Sequence, residues 1–154
     1  MCGIWCSVGR RSTRAAIDLV AHRGPDGEGW REFDAPNGPV QLGHRRLAII
    51  DRSEAGVQPM SFAHGRYWLT YNGEIYNYVE LRDELEALGE RFVSATDSEV
   101  LLAAFARWGE GALKRLNGMF AFVIWDDHEK VLFAARDRFG IKPLYLLTTT
   151  KGLR

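Results

Sequence analysis

The sequence has few cysteines, no excess of charge of either sign and no long apolar run. Only Cys2 and Cys6 are cysteines among its 154 residues, and 20 basic residues balance 20 acidic ones. The resulting formal net charge of zero argues against a broad nucleic-acid or membrane-binding surface. No apolar run reaches the length of about 18 residues that a transmembrane helix needs. The N-terminus lacks the basic and then apolar regions of a signal peptide.

The two cysteines are typical of a protein in a reducing compartment. Cys2 and Cys6 are four residues apart, and in an extended strand their Cα atoms would be separated by roughly 13 Å. A disulfide needs a separation below about 7 Å, so we expect no disulfide if this stretch is a strand. Cys6 is then best explained as a small buried hydrophobic residue. The absence of a disulfide predicts a cytoplasmic location.

What the chain does contain is typical of one globular domain, with 46% hydrophobic residues. Hydrophobic periodicity predicts both strands and helices. Strands are predicted over residues 3–9, 29–33, 40–51, 67–71, 91–93, 119–125 and 131–135, and from Leu144 onward. A first helix is predicted over residues 15–20, capped by Ser12 or Thr13. A second contains Leu81, Leu85 and Leu88 and ends at Gly89. A third runs from Thr96 or Asp97 to Trp108, and a short fourth covers residues 109–116.

Cys2 is a candidate nucleophile. If Met1 is removed, Cys2 becomes the first residue and carries both a thiol and a free α-amine. An α-amine titrates near ~7.7–8.0, so it can act as a base close to neutral pH. A terminal residue that supplies both nucleophile and base is a known way to activate a weak nucleophile. A cysteine at this position can equally be incidental, so the interpretation depends on the rest of the chain.

Four further stretches allow both a structural and a functional interpretation. The turn-rich run from His22 to Gly27 is either a surface loop or a rigid polar wall of a pocket. Arg45 and Arg46 are adjacent in a predicted strand, so one of them should face a polar cavity. Arg46, beside an apolar run, is either a solvated edge residue or, as we expect, a residue that needs a carboxylate partner. Asn72 and Gly73, at a predicted strand-to-helix junction, are either a capping turn or oxyanion donors. Asp97 is either a helix cap or a ligand for a substrate amine.

Six stretches occur in an order that resembles the class II glutamine amidotransferase domain, and among its members the asparagine synthetase type. The match extends over essentially the whole chain, and the ordered set is highly specific where any one stretch would be weak. The stretches are Met1-Cys2-Gly3-Ile4, His22-Arg23-Gly24-Pro25-Asp26-Gly27, Arg46-Leu47-Ala48-Ile49-Ile50-Asp51, Asn72-Gly73-Glu74-Ile75-Tyr76-Asn77, Thr96-Asp97-Ser98-Glu99 and residues 136–145.

The resemblance implies a fold and a reaction. The fold is an α+β N-terminal-nucleophile sandwich in four αββα layers, with two antiparallel sheets. In the reaction Cys2 attacks the side-chain amide of L-glutamine, ammonia leaves, and water hydrolyses the thioester. The resemblance further implies that Asn72 and the Gly73 N–H form the oxyanion hole, that Arg46 binds the α-carboxylate and that Asp97 binds the α-ammonium. The remaining pocket residues would be Leu47, Ala48, Ile49, Ile50 and Glu74.

The family usually continues into an ATP-using synthetase domain, and nothing in this sequence resembles a P-loop or a pyrophosphate-binding loop. We therefore expect one domain over residues 1–154, cut before its last strand, that needs no metal or cofactor of its own. ATP and Mg²⁺ would belong to the absent synthetase domain, which would receive the ammonia. A missing strand would leave an exposed sheet edge, which predicts a homodimer or poor solubility.

Three other functions stay open at this point. The domain could be a regulatory or scaffold module that keeps the fold without turnover. It could be a different N-terminal-nucleophile hydrolase, although a paired Arg and Asp for the two ends of an amino acid argue against this. It could also supply ammonia to polysaccharide or secondary-metabolite synthesis in place of asparagine.

Overall fold

The computed structural model describes residues 1–149 and 152–153, and this part of the chain forms two antiparallel sheets and three α-helices. The strands are β1 (Gly3–Val8), β2 (Gly27–Phe33), β3 (Val40–Arg46), β4 (Met60–Phe62), β5 (Tyr67–Ile75), β6 (Gly118–Asp126), β7 (Val131–Arg136), β8 (Thr148–Thr149) and β9 (Gly152–Leu153). The α-helices are α1 (Ala15–Asp18), α2 (Tyr78–Ala87) and α3 (Asp97–Trp108). Shorter 3-10 helices cover Ala21–Arg23, Glu54–Gly56 and Gly109–Lys114.

The two sheets differ in how the chain connects their strands. The first sheet has the order β2-β3-β1-β9-β8, so the N-terminal strand lies in its centre. The second sheet has the sequential order β4-β5-β6-β7, in which each strand pairs with the next. In the first sheet Gly3 pairs with Arg45, and in the second Gly73 pairs with Phe120. The central position of β1 brings the start of the chain to the end of β3.

A small apolar core joins the sheets, and a larger one joins the second sheet to its helices. Between the sheets, Val40 and Leu42 of β3 pack with Val123 and Trp125 of β6. On the outer face of the second sheet, α3 packs on β4 and β5 and α2 packs against α3, and apolar residues of both helices share one buried cluster with β5 and β6. On the outer face of the first sheet, Ile17 of α1 is buried. These layers confirm the predicted αββα sandwich.

Helix α3 begins where a threonine satisfies its first N–H groups. Thr96 is the N-cap, and its hydroxyl accepts a hydrogen bond from the Glu99 N–H at 3.1 Å. The Glu99 carboxylate does not return to the cap as a capping box would require. It accepts hydrogen bonds from the N–H groups of Val93 and Ser94 instead. This loop bonding also explains why the strand predicted over residues 91–93 does not form.

Several predicted element boundaries are wrong. The strand predicted over 40–51 ends at Arg46. Asn72 and Gly73 lie inside β5 and not at its junction with a helix, since α2 begins only at Tyr78. The three-residue strand β4 was not predicted.

The smaller elements also differ from the prediction. Helix α1 ends at Asp18, and its N-cap is Arg14 without a side-chain hydrogen bond, so neither Ser12 nor Thr13 caps it. The short helix predicted over 109–116 is a 3-10 helix. The strand predicted from Leu144 begins at Thr148. The predicted domain runs to residue 154. Residues 150, 151 and 154 of that range lie outside the described part of the chain.

Candidate active site

A cavity of about 140 Å³ opens beside the N-terminus, between the end of β3, β5 and the start of α3. Its walls come from seven separate stretches of the chain, which the two sheets and α3 bring together. All ten site residues predicted from the sequence line it: Cys2, Arg46, Leu47, Ala48, Ile49, Ile50, Asn72, Gly73, Glu74 and Asp97.

The Cys2 thiol lies against the chain that follows β3. Its Sγ accepts a hydrogen bond from the Leu47 N–H at 3.4 Å and lies 3.7 Å from the Leu47 carbonyl oxygen. Burial raises the pKa of the Cys2 thiol, and this outweighs the lowering effects of the Leu47 N–H, the N-terminal ammonium and Arg46. Little thiolate is therefore present at neutral pH, so a reaction at this sulfur needs a nearby base.

Arg46 places a buried positive charge in the cavity. Only 8% of the residue is exposed, and its guanidinium donates hydrogen bonds to the carbonyl oxygens of Asp51 and Ser53. No Asp or Glu carboxylate of the described residues pairs with it. The carboxylate partner expected from the sequence is thus missing there. Its neighbour Arg45 points away and pairs with Asp18 and Glu28, as strand alternation predicts.

Asp97 places a buried negative charge in the same cavity. Because Thr96 caps α3, the Asp97 carboxylate is free to turn toward β5. Its Oδ2 atom accepts hydrogen bonds from the Tyr71 hydroxyl at 2.7 Å and from the Ile75 N–H at 2.9 Å. Burial raises the pKa of Asp97 although these donors act to lower it. The cavity therefore contains a buried guanidinium and a buried carboxylate, and the buried Lys142 also lines it.

Asn72 and Gly73 form part of the wall from within β5. The Asn72 side chain is 5% exposed, and no hydrogen bond to it is found from the residues that the structure describes. A Cβ atom at Gly73 would lie 2.3 Å from the Met119 carbonyl oxygen and 2.7 Å from the Phe120 Cα. Only glycine therefore allows β5 and β6 to pair this closely here, and the Asn72 amide stays available to a bound molecule.

The run from His22 to Gly27 supports the cavity from behind and does not line it. Arg23 Nε donates to the Cys2 carbonyl oxygen at 3.1 Å, and the Asp26 carboxylate accepts a hydrogen bond from the Ala48 N–H at 2.9 Å. A Cβ atom at Gly24 would lie 2.4 Å from the backbone of Arg45. This stretch thus fixes the positions of Cys2 and of the chain that follows β3.

Comparison with known proteins identifies the family. A family model described as a glutamine amidotransferase domain matches residues 1–153. The chain belongs to this family. The family predicted from the six ordered stretches is thereby confirmed.

Curated relatives of this amidotransferase domain are longer proteins. It is 51% identical over 130 residues to asparagine synthetase [glutamine-hydrolyzing] 1 of Bacillus subtilis, with 84% of this chain and 20% of that protein covered. It is 44% identical over 131 residues to asparagine synthetase [glutamine-hydrolyzing] 3 of the same organism, with 83% and 20% covered. It is 43% identical over 130 residues to Amidase chry2 of Gibberella zeae, with 84% and 19% covered. The chain spans about a fifth of the length of these relatives.

A solved structure confirms the fold of the amidotransferase domain. Glutamine phosphoribosylpyrophosphate (PRPP) amidotransferase from B. subtilis superposes with a TM-score of 0.81 at 23% identity, covering 97% of this chain and 40% of that one. At this identity the likeness concerns the fold, and it confirms the sandwich predicted above.

The amidotransferase domain has further cavity residues that the sequence did not reveal: His44, Gln58, Tyr71, Ser98 and Lys142. His44 shares a face of β3 with Arg46, so strand alternation could have identified it. Its Nε2 lies 3.1 Å from the Tyr71 carbonyl oxygen, and burial lowers its pKa to about 4. Lys142 Nζ lies 3.0 Å from the Met1 sulfur, a contact across the whole chain that no sequence pattern indicates.

The described part of the amidotransferase domain has neither a cluster of metal-binding side chains nor a helix that could span a membrane. Residues 1–149 and 152–153 contain no group of three or more His, Cys, Asp or Glu side chains placed to hold a metal ion. In the same part of the chain no helix is long and apolar enough to cross a membrane.

Proposed function

We propose that this domain hydrolyses the side-chain amide of L-glutamine to glutamate and ammonia, with Cys2 as the nucleophile after loss of Met1. One observation carries the proposal. A single cavity contains the Cys2 thiol, a buried guanidinium without a carboxylate partner and a buried carboxylate without a cationic partner in the described chain. These two charges match the two ends of an α-amino acid.

Arg46 binds the α-carboxylate of glutamine through its planar fork of donors, the geometry that suits a carboxylate. Asp97 binds the α-ammonium. Both charges are held in place by hydrogen bonds to the backbone before the substrate enters, so little ordering is needed on binding. The side-chain amide then extends toward Cys2 through the cavity that residues 47–50 and Glu74 help to line.

The reaction begins when the Cys2 α-amine takes the thiol proton and the sulfur attacks the amide carbon. The carbonyl oxygen becomes negative and is held by the Asn72 side-chain amide and the Gly73 N–H. The amine passes the proton to the nitrogen, the carbon–nitrogen bond breaks, and ammonia leaves. Water then attacks the thioester with the amine as base, the carbon–sulfur bond breaks, and glutamate and the thiol are released.

The raised pKa of the Cys2 thiol supports this role for the α-amine. In the chain that still carries Met1, burial raises the pKa of this thiol and keeps it mostly protonated at neutral pH, so attack requires that its proton be removed during the reaction. An α-amine on the same residue is a base with a pKa of about 7.7–8.0. Loss of Met1 would place it next to the sulfur.

We further propose that the ammonia is delivered to an ATP- and Mg²⁺-dependent synthetase domain of a longer protein, with asparagine as the product. The names of the two Bacillus relatives support asparagine. A relative named as an amidase has a similar domain, so residues outside this domain would select the acceptor.

We also propose a cytoplasmic location, supported by two free cysteines, and a homodimer. Light scattering tests the dimer, and a monomer at high concentration would contradict it.

The function is tested by measuring glutamate release from L-glutamine. We expect the Cys2→Ala variant to lose activity and the Cys6→Ala variant, which removes the only other thiol, to keep it. Hydrolysis that survives in Cys2→Ala would contradict the mechanism. Binding of glutamine without glutamate release by the unaltered chain would favour the regulatory-module alternative.

A further inference from the structure

We propose that Tyr71 is a positioning residue that gives the site its preference for a substrate with an α-ammonium group. This inference rests on the proposed function, because it assigns to Tyr71 the orientation of Asp97 toward that ammonium. Tyr71 was not among the residues predicted from the sequence, and it does not contact the reacting amide in the proposed reaction.

Tyr71 is part of a closed ring of hydrogen bonds. Its hydroxyl donates to Asp97 Oδ2 at 2.7 Å, and its backbone N–H donates to Gln58 Oε1 at 2.7 Å. Gln58 Nε2 donates to the Ser98 hydroxyl oxygen at 3.1 Å. Because Ser98 directly follows Asp97 in α3, the ring closes on itself. All four residues are at least nine-tenths buried, so water competes little for these bonds.

A third bond fixes the carbonyl group of the same residue. His44 Nε2 lies 3.1 Å from the Tyr71 carbonyl oxygen. A carbonyl only accepts hydrogen bonds, so Nε2 carries the proton. Tyr71 therefore has its N–H, its carbonyl and its hydroxyl all bonded to different segments of the chain. Its hydroxyl is thus a fixed point from which Asp97 can be oriented.

The ring leaves one carboxylate oxygen of Asp97 for the substrate. The Tyr71 hydroxyl and the Ile75 N–H both donate to Oδ2, the backbone N–H of Ser98 also acts on the carboxylate, and no side-chain hydrogen bond to Oδ1 is found within the described residues. All three donors are neutral, so they hold the carboxylate without cancelling its charge. An Arg or Lys in place of Tyr71 would instead compete with the ammonium for the same carboxylate. The arrangement therefore fixes the direction of the carboxylate without pairing it with a cation.

The test measures binding by titration calorimetry in a Cys2→Ala background, where hydrolysis stops. Two ligands are compared: L-glutamine and glutaramate, which is glutamine without its α-amino group. We expect Tyr71→Phe to weaken glutamine binding about ten-fold, the effect of losing one hydrogen bond to a charged group, and to leave glutaramate binding unchanged. Ser98→Ala breaks the ring of hydrogen bonds at another point and should also weaken glutamine binding, by a smaller factor than Tyr71→Phe.

The matched control is Tyr67→Phe. Tyr67 lies on the same strand, and its hydroxyl has no hydrogen bond to the described residues, so binding of both ligands should stay the same. In an Asp97→Asn background, Tyr71→Phe should cause no further loss.

Two results would overturn the positioning role while leaving the proposed function intact. One is equal weakening of both ligands by Tyr71→Phe, which would mean a general disturbance of the cavity. The other is unchanged glutamine affinity in Tyr71→Phe with a folded chain. Failure of the Cys2→Ala chain itself to bind glutamine would instead overturn the proposed function, and with it this inference.

Discussion

Replacing Asp97 by asparagine should have opposite effects on folding and on substrate binding. Asparagine has the same shape, and its amide oxygen can still accept the hydrogen bonds from the Tyr71 hydroxyl and the Ile75 N–H. The substitution removes the negative charge of Asp97, a residue that is only 5% exposed. We therefore expect the Asp97→Asn variant to unfold less readily than the unaltered chain and to bind glutamine much more weakly.

The loss in binding follows from the removal of one partner of a buried ion pair. Such truncations cost about 2–5 kcal/mol, and about 1.4 kcal/mol corresponds to a ten-fold change in affinity. Glutamine affinity should thus fall by a factor between about 30 and a few thousand. The loss of affinity should reach this range because Asp97 is the carboxylate proposed to bind the α-ammonium of glutamine.

The gain in stability follows from the pKa of Asp97. Burial raises the pKa of Asp97 in the folded protein above its ordinary value. The folded protein then binds the proton more tightly than the unfolded chain, so ionisation of Asp97 lowers the free energy of unfolding. The penalty is absent in acid, below the ordinary aspartate pKa of about 3.9. It grows as the pH rises through the higher folded pKa, and Asp97→Asn removes it.

Urea denaturation of both chains between pH 4 and pH 8, without ligand, measures the stability difference. Calorimetry on the same pair in the Cys2→Ala background measures binding. Asp137→Asn is the control of opposite sign. Burial alone would raise the pKa of Asp137, but four backbone N–H donors hold it below its ordinary value, so this variant should be less stable at neutral pH. An Asp97→Asn variant that is less stable than the unaltered chain at pH 7, or that keeps its glutamine affinity, would refute these expectations.

Three further predictions concern neighbouring positions. Burial lowers the pKa of His44 to about 4, so the stability present above pH ~6.5 should fall as the pH drops toward 4. This loss is about 3 kcal/mol, and a denaturation series on His44→Gln should lack it. Gly56→Ala places a Cβ 2.3 Å from a guanidinium nitrogen of Arg46. Because the Arg46 side chain can shift away, the stability should stay nearly unchanged. The shift should reduce glutamine affinity on the order of ten-fold or more, as measured by calorimetry. Gly73→Ala meets the backbone oxygen of Met119 at 2.3 Å, which cannot move independently, so denaturation should show a loss of about 3 kcal/mol.

The long elements of the fold could be predicted because their patterns are local. The continuous apolar run from Met119 to Trp125 predicts a buried strand, and β6 contains it. The apolar spacing through Leu81 and Leu85 predicts a helix that the structure confirms as α2. Such patterns depend only on the period of burial along one segment.

The end of β3 could not be predicted, because distant and polar contacts decide it. The apolar run 47–50 looks like a continuation of the strand. The Arg46 guanidinium bonds to the carbonyl oxygens of Asp51 and Ser53, and this turns the chain away from the sheet. The same turn forms the wall of the cavity, so the wrong boundary coincides with the candidate site.

The residues predicted to form the candidate site do line it, but the residues that hold them in place were not predicted. The ordered motifs led to ten residues that line one cavity. Tyr71, Gln58 and Ser98 were missed because their hydrogen bonds join segments 13 to 40 positions apart. No spacing along the sequence indicates such bonds.

The most direct test of a cysteine-based glutaminase site is the intact mass of the purified chain before and after incubation with a diazo-ketone analogue of glutamine. We expect a mass that lacks Met1, followed by a single adduct that peptide mapping places on Cys2. Competition by L-glutamine should slow the adduct. A chain without Met1 whose Cys2 stays unmodified, or an adduct on Cys6, would contradict the account.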